Sequence, residues 1–182
     1  MVITDDRGRI SFAKGTSSGE SNLKLRNCWH FFVRHTSTTE PLDPIRTVLK
    51  IMAHRGFRHL PVVRRSKQAG EKELLGIVSA QDLINFMDAV SGRIEARQEE
   101  NALISKLDNY VSSIMSDHPV TITSDESMLD AIRIMSEKNV GALPIIKSEA
   151  ATNPKLLGII TLRDLISLLA AYAPFGIRSE DI

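Results

Sequence analysis

A single cysteine, Cys28, stands in a chain of 182 residues, so no internal disulfide and no cysteine-based zinc cluster can form, and the protein suits a reducing compartment. Excess charge is also missing. Lys plus Arg number 23 against 22 for Asp plus Glu, and a net charge of +1 provides no long-range field to gather a polyanion, which makes nucleic acid a poor partner. No apolar run approaches the roughly 18 residues that begin to span a bilayer. The first residues already carry Asp5, Asp6 and Arg7, unlike a targeting segment. No Gly-x-Ser-x-Gly elbow, P-loop or dinucleotide fingerprint occurs. His30, His35, His54 and His118 lack the spacing that would set two metal ligands on one element. What remains is a soluble, cytoplasmic protein with no membrane segment and no recognisable catalytic machinery. Its composition, 42% hydrophobic and 25% charged, is that of an ordinary globular chain.

The informative signal is an internal repeat. Residues 57–63 read Phe-Arg-His-Leu-Pro-Val-Val and residues 140–146 read Val-Gly-Ala-Leu-Pro-Ile-Ile, with Pro144 lying 83 positions after Pro61. Further on, Gly-Ile-Val-Ser-Ala-Gln-Asp-Leu-Ile (76–84) answers to Gly-Ile-Ile-Thr-Leu-Arg-Asp-Leu-Ile (158–166), with Asp164 lying 82 after Asp82. One residue is therefore lost between the blocks, and the polar stretches 64–73 and 147–155 are where a surface loop would absorb it.

Ahead of each Leu-Pro, the sets Ile45, Val48, Leu49, Met52 and Met128, Ala131, Ile132, Met135 follow the i, i+3, i+4, i+7 spacing of an amphipathic helix with one buried face. Pro44 suits a first-turn position and Gly56 a C-terminal cap; Ser124 or Asp125 can cap the second helix and Asn139 end it. Each copy then reads opening strand, helix, strand, loop, strand, helix, an α/β (α+β) unit with short Val- and Ile-rich strands. A unit of this size is marginal alone, so the two should pack together on a shared core. The division is an N-terminal extension (1–30), repeat one (31–90), a connecting helix or linker (91–112), repeat two (113–172) and a C-terminal tail (173–182). Leu103, Ile104, Leu107, Val111 and Ile114 carry the helical spacing in the linker. In the extension, Asp6-Arg7-Gly8 is a candidate turn between two short strands and residues 15–21 a flexible loop. Trp29, Phe31 and Phe32 are read as core at the edge of the first repeat.

The Leu-Pro-Val-Val strand followed by Gly-Ile-Val-Ser-x-x-Asp-Leu, both present twice in order, resembles the cystathionine β-synthase (CBS) domain, whose tandem pair is called a Bateman module. The resemblance covers roughly residues 31–170. It implies two β-α-β-β-α repeats related by a pseudo-two-fold axis, clefts for AMP, ADP, ATP or S-adenosylmethionine, a homodimer, and control of another protein. The nucleotide would be a regulatory ligand rather than a cofactor.

Ser79 with Asp82, and Thr161 with Asp164, resemble the family's ribose-holding hydroxyl and carboxylate. An ionised carboxylate can accept both donors of a cis-diol in charge-assisted bonds. Ser/Thr-x-x-Asp ahead of an apolar helix is equally a capping box, and both readings stand. Arg58 and His59 occupy positions where AMP-binding relatives carry basic residues against phosphate, while surface charge or a half-buried histidine is the plainer account. Gly141 and Ala142 stand there in the second copy, where Arg163 is the substitute candidate. The resemblance puts Ile77, Met115, Val120, Val140 and Gly141 around the base held by Ser79 and Asp82. Ile159, Ser37 and Phe57 are the counterparts for Thr161 and Asp164, although the first opening strand, 34–38, is polar where 120–122 is mostly apolar. A regulatory nucleotide-binding module is thus the leading expectation. A ligand-free dimer that scaffolds a partner is the alternative, and an enzyme the third. The apolar helical faces Leu83, Ile84, Phe86, Met87 and Leu165, Ile166, Leu168, Leu169 are the expected dimer surface.

Overall fold

The computed structural model describes residues 2–4, 10–12, 36–65, 71–91, 104–147 and 154–172. Strands β1 (Val2–Thr4) and β2 (Ile10–Phe12) pair antiparallel, as two short strands flanking a turn should. The turn itself, loop 15–21, Cys28 and the Trp29, Phe31, Phe32 cluster lie outside the described residues.

The first repeat contains α1 (Ile45–Arg55), β3 (His59–Arg65), β4 (Lys72–Ser79) and α2 (Ala80–Ser91). Ile45, Val48 and Met52 of α1 are buried, whereas Leu49, read from the sequence as a core position, is exposed. Gly56 closes the helix at φ 67°, a left-handed conformation that costs glycine nothing for want of a Cβ. Pro44 is the N-cap rather than a first-turn residue, and no side chain caps this helix. Its first N–H groups are satisfied from a distance instead. Ile45 N–H donates to the carbonyl of Asn109 (2.8 Å) and Arg46 N–H to that of Leu107 (3.0 Å), while the Arg46 guanidinium pairs with Asp108.

That interaction explains why 104–115 is not the continuous helix its apolar spacing predicts. Residues 104–106 are helical, 107–109 are turn and bend, and Val111–Ser113 form a 3-10 turn. The carbonyls between them face α1 and not their own i+4 amides. Val111 is fully buried in the first repeat's core, with Leu107 and Ile114 packed against it.

In the second repeat, β6 (Ile122–Thr123), α3 (Met128–Lys138), β7 (Ala142–Ile146), β8 (Leu156–Thr161) and α4 (Leu162–Tyr172) repeat the order. The cap of α3 is Ser127, not Ser124 or Asp125. Ser127 N–H and Oγ–H donate to Asp130 Oδ2 (3.0 and 2.6 Å), and Asp130 N–H returns to Ser127 Oγ (3.2 Å). Ser124 lies three residues too early, extending the strand with its N–H on the Ile146 carbonyl, and the helix begins only at Met128. Asn139 ends the helix at φ 51°, as its spacing predicts.

Each repeat folds its central strands into an antiparallel pair with a bulge at the same place, between Val62 and Val63 and between Ile145 and Ile146. Val63 faces Leu74 and Ile146 faces Leu156, so the residue missing from the second copy is lost in the loop beyond the bulge. The opening segments pair in parallel at equivalent points, Thr39 with Val62 and Ile122 with Ile145. Polar 36–38 forms no strand, and Thr39, buried, donates its hydroxyl to Asp43 Oδ2 (2.7 Å).

Two bridges join the repeats. At one side β5 (Ser116–Asp117), the first strand of the second copy, adds to the edge of β4, with Gly76 opposite Asp117 and Ile77 opposite Ser116. At the other, Leu74 N–H donates to the Pro154 carbonyl (2.8 Å) and the Lys155 ammonium pairs with Glu71 (2.7 Å). Buried apolar side chains gather in one cluster per repeat, and Val111, Ile114 and Met115, leading into the second copy, belong to or pack on the first cluster.

Candidate functional site

The hairpin registers bring the predicted polar residues to two corresponding corners. His59, first in β3, faces Ser79, last in β4. Ser79 N–H and Oγ–H both donate to Asp82 Oδ2 (2.7 Å each), Asp82 N–H returns to Ser79 Oγ (3.2 Å), and Ala80 N–H donates to the Arg58 carbonyl (2.8 Å). In the second repeat Ala142 faces Thr161. Thr161 N–H and Oγ1–H donate to Asp164 Oδ2 (2.7 Å each), Asp164 N–H returns at 3.4 Å, and Leu162 N–H donates to the Gly141 carbonyl (3.0 Å).

Both Ser/Thr-x-x-Asp motifs are therefore complete capping boxes. The box engages one carboxylate oxygen, Oδ2, and Oδ1 takes no part in it. Capping accounts for one oxygen and leaves the chemistry of the other open.

The corners differ in what crosses between repeats. A Cβ on Gly141 would lie 3.2 Å from Cε1 and 3.4 Å from Nε2 of His59, so the imidazole of the first repeat lies against the backbone of the second. Ala142, opposite Thr161, is too short to reach back. Burial, and after it the Arg58 guanidinium, hold the His59 imidazole below its ordinary pKa, against a pull upward from Asp82. Arg58 itself is exposed.

Met115 closes the same end of the first sheet. Its Sδ would lie 3.2 Å, and the Ser116 carbonyl 2.8 Å, from a Cβ on Gly76, so only glycine admits β5 at this point. Ile77, half-buried, stands between Pro61 and Ser116 in register. Gly76 is a residue that site reasoning passed over, although its recurrence at Gly158 was visible.

Arg58, His59, Ser79, Asp82 and Gly141 thus form one group, with Ile77 and Met115 on the adjoining strands. Val120 and Val140 are half-buried against the second core, and Val140 and Gly141 also border a cavity of about 480 Å³ that Ile132, Met135, Leu162 and Ile166 help to line. The Asp164 corner is less furnished. Ile159 pairs with Pro144, Arg163 is exposed, Phe57 packs on the first core, and Ser37 borders a separate cavity along α1. Among the described residues no three His, Cys, Asp or Glu side chains gather as a metal site.

The CBS domain family model matches the chain twice, over residues 34–89 and 111–171. The chain belongs to the CBS family, as a tandem pair. This CBS pair is 32% identical over 134 residues to an uncharacterised protein of Methanocaldococcus jannaschii, MJ1225, covering 72% of this chain and 45% of that protein. The crystal structure of MJ1225 superposes with a TM-score of 0.60 at 28% identity, over 75% of this chain and 46% of that one. CBSX2 in complex with AMP shares the fold at a TM-score of 0.58 and 22% identity, over 78% of this chain and 94% of that chain. The CBS pair of MJ0100, solved with 5′-methylthioadenosine and S-adenosyl-L-methionine, does so at 0.58 and 19%, over 80% and 96%. The chain spans 45% and 39% of two M. jannaschii relatives it matches.

Proposed function

We propose that this CBS pair is a non-catalytic cytoplasmic sensor that binds an adenine nucleotide, AMP, ADP or ATP, or S-adenosylmethionine, and passes the signal to a partner protein. The observation that carries the reading is the corner where His59, Ser79 and Asp82 of one repeat meet Gly141 of the other. Asp82 Oδ1 and the Ser79 hydroxyl would receive the ribose, Arg58 and His59 would face phosphate, and Ile77 and Met115 would border the base. Structural relatives carrying AMP or S-adenosylmethionine support this ligand class. A ligand that binds only the native state must raise its stability, so a thermal-shift series with AMP, ADP, ATP, NAD and S-adenosylmethionine tests the proposal. A rise in Tm with one or more of them is the expected result. No shift at millimolar concentration refutes it.

One observation favours a second reading, in which the pair scaffolds a partner without ligand: both carboxylates already complete their boxes unaided. The same series decides between the two. Either way we propose a homodimer. Leu83 and Leu165, once counted in the dimer surface, are buried in their own repeats, but their neighbours Ile84 and Ile166 are 59% and 66% exposed at matching positions of α2 and α4. Among the described residues, no helix is long and apolar enough to cross a membrane.

A further inference from the structure

We propose that the first repeat carries a separate site for an oligophosphate group, in a cavity of about 460 Å³ between segment 36–38 and the outward face of α1. The volume falls within the range of about 300–1,000 Å³ usual for small-ligand sites. Among the described residues its lining has Lys50, His54 and Arg55 from α1, Lys72 from β4 and the three hydroxyl residues of 36–38, and no carboxylate. The Lys72 ammonium donates to the Thr38 hydroxyl (3.2 Å), which holds it over the cavity. Other cations of this repeat find acids: Arg46 has Asp108, Arg64 has Glu73 and Arg65 has Glu40. Among the described residues no ion pair includes Lys50, His54, Arg55 or Lys72.

The second repeat is a built-in comparison. At the equivalent positions Lys50, His54 and Arg55 become Arg133, Glu137 and Lys138, Lys72 beyond the loop becomes Pro154, and Ser37 becomes Val120. There Arg133 is paired with Asp130, a proline replaces Lys72, and an acid replaces the histidine. The positive cavity is therefore peculiar to one repeat. Like charges held together repel unless an anion lies between them, and a di- or triphosphate offers both the charge and enough acceptors for ammonium, guanidinium and hydroxyl donors at once. A net charge of +1 provides no long-range field for a long polyanion, and a cavity of about 460 Å³ suits a compact ligand. No residue of the Asp82 corner lines this cavity, and the proposal does not depend on that site.

Isothermal titration of the full chain with inorganic tripolyphosphate is the test. Binding is expected, weakened roughly tenfold or more by the double substitution Lys50→Ala Arg55→Ala and by His54→Glu, and unchanged by Arg133→Ala Lys138→Ala, as loss of charge-assisted bonds at one site requires. ATP binding that is tighter than tripolyphosphate and falls in the same variants, with AMP unaffected, identifies the group as the chain of a nucleoside polyphosphate. ATP no tighter than tripolyphosphate identifies free oligophosphate. No heat at millimolar tripolyphosphate, or equal loss in the second-repeat variant, overturns the proposal.

Discussion

Replacing Asp82 by alanine removes two things at once, and a third capping box in the same molecule separates them. Asp82 and Asp130 carry the same device, one carboxylate oxygen accepting from the N–H and hydroxyl of a serine three residues earlier. Asp82 is the N3 partner of its box, and loss of its bonds to the serine N–H and hydroxyl costs about 0.5–1.5 kcal/mol. For a chain of this size that lowers Tm by about 2–4 °C per kcal/mol. Asp130 stands at the start of α3, away from the corner where His59 meets Gly141. If Asp82 Oδ1 also holds a ribose, its loss removes charge-assisted bonds worth about 1.5–3 kcal/mol and weakens AMP or ATP binding by roughly 10- to 100-fold. Calorimetry on Asp82→Ala, Asp164→Ala and Asp130→Ala should therefore show comparable losses of stability in all three. Weakened nucleotide binding is expected in Asp82→Ala and not in Asp130→Ala. Unchanged affinity in Asp82→Ala would leave that carboxylate a cap and nothing more.

Three other outcomes follow from the geometry. Because the folded state holds His59 below the ordinary value of 6.5, the unfolded chain binds more protons just below that pH, and stability should fall as the solution is acidified through it. Urea midpoints at pH 7.5 and 5.5 should differ less in His59→Gln than in the parent, and an equal difference would refute the assignment. Gly76→Ala should destabilise by about 1–3 kcal/mol, since its Cβ meets backbone at 2.8 Å, and Gly141→Ala by less, since an imidazole can shift; the reverse order in chemical denaturation would contradict this. Light scattering should give twice the 20.2 kDa chain mass, reduced towards monomer by Ile84→Asp Ile166→Asp, and a parent monomer at tens of micromolar would rule the dimer out.

The order of elements was legible because repetition turns weak local signals into strong ones. A single Leu-Pro strand says little, whereas two at a constant offset fix a pairing register, and Thr39 with Val62 and Ile122 with Ile145 keep that offset in the structure. What was not legible depended on contacts between distant segments. Helical spacing over 104–115 misled because the carbonyls of Leu107 and Asn109 are taken by α1. Ser127 and not Ser124 caps α3 because Ser124 still belongs to the strand pairing with Ile146 and the helix starts only at Met128. Leu49 has the right spacing for the core and lies on the exposed flank, at the edge of a buried stripe of Ile45, Val48 and Met52. The polar corner was foreseen as a set of residues, but the reach of His59 onto Gly141 was not.

That reach makes the two halves unequal in a way their shared fold conceals. Pseudo-symmetry supplies two capped helix starts with one carboxylate oxygen left over at each. Side-chain choice then distinguishes them: the first corner has an imidazole and a guanidinium before its strand, the second a glycine and an alanine. The outer faces follow suit: among the described residues Lys50, His54 and Arg55 of α1 enter no ion pair, while Arg133 of α3 pairs with Asp130. Positive charge is therefore gathered on the first repeat at both places while the whole chain stays near neutrality. An anionic ligand would meet a directional molecule, and its binding would act on the first repeat, whose core already contains Val111 at the head of the second. The first amides of α1 hang on the same segment, so the first helix of one repeat and the entry to the other share this buried junction.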